Sequence, residues 1–303
     1  MTHPLPLERR LGDWMRARLP AALAEFVMFG LKMGWACLFG GLLLAAMIVT
    51  AVIWDPDWPV ARYDALLAFA LLLQVLFLAF GLESLAEARV ILLFHLTGTA
   101  MELFKVQAGS WSYPGAAVIA VGGVPLYSGF MYASVGSFMA RAIRLFDMQF
   151  APFPPFGWHL ALAVAAYVNF FAHHFLWDAR YLIFAATVAL YARTRIWFRI
   201  GEVWRWMPLP VAAFLSSLFL WIAENVGTMT GTWLYAGQGA FEVVSLSKMG
   251  SWYLLLYVAF ATVTLVVRGP LRRGPFAPER RSPQPPSPEA PARWSPRSPA
   301  RDP

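Results

Sequence analysis

Residues 33–54 run for 22 positions without a charged side chain, and a helix of that length crosses a hydrocarbon core of about 30 Å. Further apolar runs follow at 65–82, 90–106, 116–140, 157–175, 208–223 and 249–267. A shorter one starts at Tyr181 and has 12 uncharged residues before Arg193, so it needs Arg193 and Arg195 to snorkel. With 59% hydrophobic and 14% charged residues and a mean hydropathy of +0.56, the chain has too little polar surface to coat a water-soluble globule. The expected fold class is all-α: a polytopic membrane helix bundle of about eight transmembrane helices.

Charge orients these runs. With residues 1–32 as a basic, interfacial, cytoplasmic lead-in and residues 268–303 as a disordered Pro/Arg-rich cytoplasmic tail, twenty of the 24 Lys and Arg fall on the inner side. The outer loops keep only Arg62, Lys105, Arg180 and Lys248. That bias follows the positive-inside rule and predicts a multi-pass protein of the bacterial inner membrane with both termini cytoplasmic. The basic residues are spread over segments separated by spans, so the net charge of +7 does not indicate nucleic acid. The lone Cys37 excludes an intrachain disulfide and a CxxC site.

Residues 95–113, HLTGTAMELFKVQAGSWSY, carry polar groups into the third run. Their skeleton returns downstream: Glu102, Gly109, Trp111 and Tyr113 are matched by Glu224, Gly231, Trp233 and Tyr235, each 122 positions later. Ala61-Arg62-Tyr63 is likewise echoed by Ala179-Arg180-Tyr181. The echo predicts two parallel four-helix repeats, about 33–140 and 157–267, in a transmembrane domain spanning 33–267.

In this topology Glu102, Glu224, His173, His174 and Asp178 gather near the outer face, and ionisable groups within spans mark sites by default. His95, Thr99 and Glu102 share one helix face, as do Ser217, Trp221 and Glu224. Seven residues rise about 10.5 Å, so His95 lies deeper and suits a relay step better than a shared metal site. The catalytic candidates are therefore Glu102, Glu224, His174 and His95. The substrate-binding candidates are Trp111, Tyr113, Trp233, Tyr235, His173, Asp178 and Asn225, with the tryptophans also serving as ordinary interfacial anchors. No metal or cofactor is implied: phosphate-loop, HExxH and GxSxG patterns are absent. Gly122, Gly129 and Gly136 recur every seven residues and predict close helix packing in the fourth run. Pro125 predicts a kink or a late helix start there.

The stretches GTAMELFKVQAGSWSYPG and YVNFFAHHFLWDARY resemble the bacterial multi-pass membrane family catalogued as domain of unknown function family 817. That resemblance implies the architecture, over roughly residues 25–268. Gly98, Glu102, Val106, Gly109 and Tyr113, followed by Gly123-Val124-Pro125-Leu126, are similar to the signature of membrane carotenoid 1,2-hydratases of the bisanhydrobacterioruberin hydratase type. Lys105 and Trp111 depart from that signature. The resemblance implies protonation of an isoprenoid C=C by a buried carboxylic acid, with aromatic faces stabilising the cation.

Two active readings follow, beside a membrane scaffold. One is a cofactor-independent acid–base enzyme acting on an isoprenoid or other lipid near the outer face. The other is a transporter or permease for a proton-coupled or cationic solute. Membrane lipids and a small-molecule or lipid substrate are the expected partners, and the sequence does not specify an oligomeric state.

Overall fold

A computed structural model describes residues 14–277 except 16, 202, 240 and 241. The expected lead-in and tail therefore lie partly outside the described residues, at 1–13 and 278–303. Among the described residues the chain is mostly helical, with nine helices: α1 (Ala21–Ala36), α2 (Leu38–Ile53), α3 (Arg62–Ala79), α4 (Leu85–Gln107), α5 (Tyr127–Leu145), α6 (Phe156–Ala172), α7 (Arg180–Tyr191), α8 (Leu209–Met229) and α9 (Leu246–Val266). Three of them, α3, α8 and α9, are long and apolar enough to cross a membrane, and the bent pair α1–α2 makes a fourth if it counts as one span.

This is fewer than the eight spans expected, for several local reasons. The first run is split: α1 and α2 meet at Cys37 at a bend of 68°, and Arg141 Nη1 donates to the Trp35 carbonyl beside the break at 3.2 Å. α7 has 12 residues, which rise only about 18 Å, and α6 has 17. In the fourth run, residues preceding α5 form a hairpin, β2 (Ala120–Val121) with β3 (Val124–Pro125). The helix starts late, after Pro125, and extends to Leu145 with Arg141 and Arg144 inside it. Gly122, with φ +56°, belongs to the hairpin turn and not to a helical stripe. Gly129 and Gly136 do pack closely, against His95 and Thr99 and against Phe94 of α4.

The fold also contains a small sheet that the all-α expectation lacked. β5 (Arg195–Arg199) pairs with β6 (Trp204–Pro208) and with β4 (Gln149–Ala151). Within β5, Ile196 and Phe198 are buried while Arg195 is exposed, the two-residue period of a half-buried strand. Residues 268–277, expected in the tail, instead pack on this sheet: Phe150 N–H donates to Pro270 O at 2.9 Å and Arg272 N–H to Phe150 O at 3.0 Å.

Some helix pairings recur along the chain, although α3 packs on α5 more extensively than α7 does on α9. α2 packs on α3 and α5 as α6 packs on α7 and α9, and α4 packs on α5 as α8 packs on α9. Large apolar side chains cover much of the exterior, including Val52, Leu72 and Val75 in the first half and Val168, Phe214 and Phe219 in the second.

Candidate functional site

α4 delivers Glu102 one turn before its end, and the way the helix stops then brings two partners back to it. Gly109 takes φ +67°, its N–H bonds to Val106 O, and Ser110 N–H reaches Lys105 O at 2.9 Å, a glycine-terminated helix end that reverses the chain. β1 (Trp111–Ser112) then runs back beside the last turn. α8 ends the same way: Gly231 has φ +60°, Gly231 N–H bonds to Thr228 O, and Thr232 N–H to Gly227 O. β7 (Leu234–Tyr235) follows and pairs antiparallel with β1, Trp111 opposite Tyr235 and Ser112 opposite Leu234.

The result is two cages side by side. Glu102 Oε2 accepts from Trp111 Nε1 at 2.7 Å and from the Tyr113 hydroxyl at 2.7 Å, while Oε1 accepts from the Tyr132 hydroxyl at 2.7 Å. Glu224 Oε1 accepts from Trp233 Nε1 at 3.0 Å and from the Tyr235 hydroxyl, while Oε2 accepts from Trp252 Nε1. Glu102 and Glu224 are 3% and 5% exposed, so these donors satisfy oxygens that water does not reach. The Trp111 and Tyr235 rings meet edge to face at 5.8 Å, and Tyr132 lies 6.1 Å from Trp252.

Glycine makes room for the cages. A Cβ on Gly98 would lie 2.7 Å from the Tyr132 ring, and one on Gly227 would overlap the Trp233 indole. Beside the cages an apolar groove of about 250 Å³ opens between α4, α5, α6, α8 and α9, lined in part by Gly98, Met101, Tyr132, Tyr167, Leu220 and Trp252. Tyr132 and Trp252 thus belong to both the cages and the groove.

The other expected site residues lie outside the cages. His95 packs on Gly129 with its ring tilted 4.6 Å from that of Phe130, and among the described residues its Nδ1 has no hydrogen-bond partner. His173 Nδ1 bonds to Asn169 O at 2.9 Å, and its ring lies 4.3 Å from that of His174. His174 Nε2 meets Lys105 Nζ at 2.8 Å rather than a carboxylate, because Lys105 emerges one turn beyond Glu102 and takes the position facing it. Asp178 accepts from Asn169 Nδ2 and Arg180 N–H, each at 3.0 Å, and pairs with the Arg180 guanidinium at 3.1 Å. Burial opposes its charge, yet these three partners hold its carboxyl below the usual carboxylate range. Asn225 is committed to the backbone, donating to Trp221 O and accepting from Val244 N–H. Among the described residues no three His, Cys, Asp or Glu side chains converge as metal ligands.

Sequence reasoning missed the third donor of each cage, Tyr132 and Trp252. They stand 120 positions apart rather than 122 and differ in type, so the repeat signal did not include them.

Fold and site define a mostly helical protein with an apolar exterior and two adjoining glutamates in aromatic cages. The chain belongs to the DUF817 family: residues 25–260 match the family described as "Protein of unknown function (DUF817)". It is 40% identical over 243 residues, 80% of this chain and 91% of the other, to "Uncharacterized protein YoaT" of Bacillus subtilis (strain 168). No solved structure matches it.

Proposed function

We propose that this protein is an integral membrane enzyme that performs cofactor-independent acid–base chemistry on an isoprenoid or other lipid, with Glu102 as the proton source. The observation that carries this reading is that Tyr132, the hydrogen-bond partner of Glu102 Oε1 among the described residues, also lines the apolar groove. With Glu102 protonated on Oε1 this bond reverses: the phenol oxygen accepts from the carboxyl while its own O–H turns to a substrate in the groove, and the proton is relayed. For alkene hydration, the Tyr132 proton goes to one alkene carbon and Glu102 replaces it. Water adds to the resulting cation, and the proton it releases is taken by Glu224 or returns to Glu102. Trp111 and Tyr113 then hold the carboxylate that Glu102 becomes, as preorganised donors at a developing charge. The Tyr132 and Trp252 faces are placed to stabilise a cation. Glu224 suits the base role better than His174, whose Nε2 is engaged by Lys105. The resemblance of residues 98–126 to carotenoid hydratases supports the same chemistry.

The exposed apolar side chains, three long apolar helices and skewed Lys and Arg distribution support a multi-pass position in the bacterial inner membrane, with both termini cytoplasmic. The recurring helix pairings and the matching glutamate cages support an internal duplication, in which α2–α5 and α6–α9 form two parallel four-helix repeats.

A second reading, a permease for a proton-coupled or cationic solute, is favoured by the pairing of two caged carboxyls whose cages touch through Trp111 and Tyr235 and through Tyr132 and Trp252. Lipid and metabolite profiling of cells carrying wild-type, Glu102→Gln or Glu224→Gln protein separates the two. The enzyme reading expects Glu102→Gln to reproduce the lipid profile of a deletion strain. Unchanged lipid pools alongside folded variant protein would overturn it, and loss of solute uptake instead selects the permease.

A further inference from the structure

Lys105 is 3% exposed, and among the described residues it forms no ion pair. Its Nζ meets His174 Nε2 at 2.8 Å and sits 4.1 Å from the centre of the Phe170 ring. A buried cation left without a counter-charge is costly, yet the charged groups that act on it here are Lys248 and Arg180, two more cations. Lys248 Nζ lies 3.9 Å from the Tyr235 ring, over the Glu224 cage, and also acts on Arg180 and Glu224. Arg180 shares its charge with Asp178.

Three cations from α4, α7 and α9 thus border the cages: Lys105 meets His174, whose ring lies on His173, and His173 is tied through Asn169 and Asp178 to Arg180, while Lys248 covers Tyr235. They are three of the four basic residues that the charge asymmetry assigns to the outer side, where basic residues are otherwise sparse. The fourth, Arg62, is bonded to Thr50, Met47, Thr230 and Thr232. A row of touching rings connects this rim to the groove. His174 and Phe104 rings lie 5.9 Å apart, Phe104 and Phe171 4.8 Å, and Phe171 and Tyr167 4.9 Å, and Tyr167 lines the groove.

We propose that Lys105, Lys248 and Arg180 form a binding site for the phosphate monoester headgroup of an amphiphile whose apolar tail enters the groove beside Glu102 and Glu224. A phosphate monoester carries close to two negative charges at neutral pH and three acceptor oxygens, which supply what Lys105 lacks. The proposal rests on the enzyme reading only for what happens to the tail, because headgroup binding requires no turnover.

The test uses full-length protein in nanodiscs of zwitterionic lipid, with binding followed by native mass spectrometry. The probes are dioleoyl phosphatidic acid, dioleoylglycerol as the same tails without phosphate, and inorganic phosphate as the same headgroup chemistry without tails. Wild-type protein is expected to hold phosphatidic acid at least about tenfold more tightly than dioleoylglycerol, the effect of one charge-assisted hydrogen bond. Lys105→Met and Lys248→Gln are each expected to remove most of that difference. Arg205→Gln, on the distant β6, should leave it intact. If Lys105→Met fails to fold, the partly exposed Lys248 and Arg180, each changed to Gln, give the same reading. Equal retention of both lipids by wild-type protein, or preference unchanged in the Lys105 and Lys248 variants, overturns the site. Displacement of phosphatidic acid by equimolar inorganic phosphate overturns the amphiphile and leaves a free-phosphate site. Glu102→Gln should keep the preference. Retained binding with unchanged lipid pools in that variant would sink the enzyme reading while the headgroup site stands.

Discussion

Four buried glutamates fall into two kinds. Glu83 and Glu87, around the start of α4, are paired with arginines of α5. Arg141 Nη2 lies 2.6 Å from Glu83 Oε1 with both side chains fully buried, and Arg144 Nε lies 2.9 Å from Glu87 Oε1. Ser137 and Gln74 complete the shell of Glu83, and Glu87 closes a capping box with Ser84. At the other end of α4 and at its counterpart in α8, Glu102 and Glu224 meet only neutral indole N–H and phenol O–H groups directly. An adjacent guanidinium supplies a counter-ion to a buried carboxyl group, whereas a ring of neutral donors satisfies its oxygens without one. The first arrangement holds helices together. The second is the arrangement on which the proposed acid–base chemistry rests.

The two cages also differ from each other in one residue. Tyr132 completes the first and Trp252 the second, and only a phenol can relay a proton, because an indole donates and cannot accept.

Breaking the first kind of glutamate should cost the most stability. Arg141→Met leaves Glu83 buried without its cation and is expected to lose about 3–5 kcal/mol in thermal or denaturant unfolding in detergent. Adding Glu83→Gln should recover much of that loss, and a single variant as stable as wild type would erase the contrast between the two kinds. The contrast between cages is sharpened by Tyr132→Phe, expected to lower turnover about 100-fold in folded protein, against less than about tenfold for Trp252→Phe. Equal losses would mean that the hydroxyl relays nothing. Gly98→Ala pushes the Tyr132 ring away from α4 and should cost about 1–3 kcal/mol by overpacking, with a loss of turnover. Gly34→Ala, which meets no neighbour within 4 Å, should do neither. The smallest effect belongs to Asp178, whose partly exposed pair with Arg180 contributes no more than about 1 kcal/mol. Because its folded carboxyl titrates below the usual range, that contribution is present above the unfolded aspartate pKa and fades as pH falls through the lowered value. Asp178→Asn should remove that acid sensitivity from the unfolding curve.

The parts of the site that could be read from the chain are the local ones. Trp111 and Tyr113 follow Glu102 by nine and eleven residues, across a helix end that Gly109 reverses, and the same spacing around Glu224 made the pair visible. Tyr132 and Trp252 arrive on the next helix, and no spacing rule connects them to the carboxyls. His174 was expected beside a glutamate because both sit at the same level. The structure gives it to Lys105, a choice made by side-chain direction that depth alone does not reveal. The span count failed where apolar composition does not specify conformation. Residues 116–126 are as apolar as a helix but turn as a hairpin through Gly122 and Gly123, and the run at 33–54 hides the bend at Cys37.

Sequence alone therefore determined that this chain is helical and apolar-surfaced and that two glutamates share one local setting, because hydropathy, helix period and helix-end chemistry act over a few residues. Tertiary structure decided that the settings face each other through β1 and β7, that one is completed by a phenol and the other by an indole, and that Lys105 meets His174 while Lys248 covers Tyr235. Those outcomes depend on which helices become neighbours, and that is set by packing across more than a hundred residues of chain.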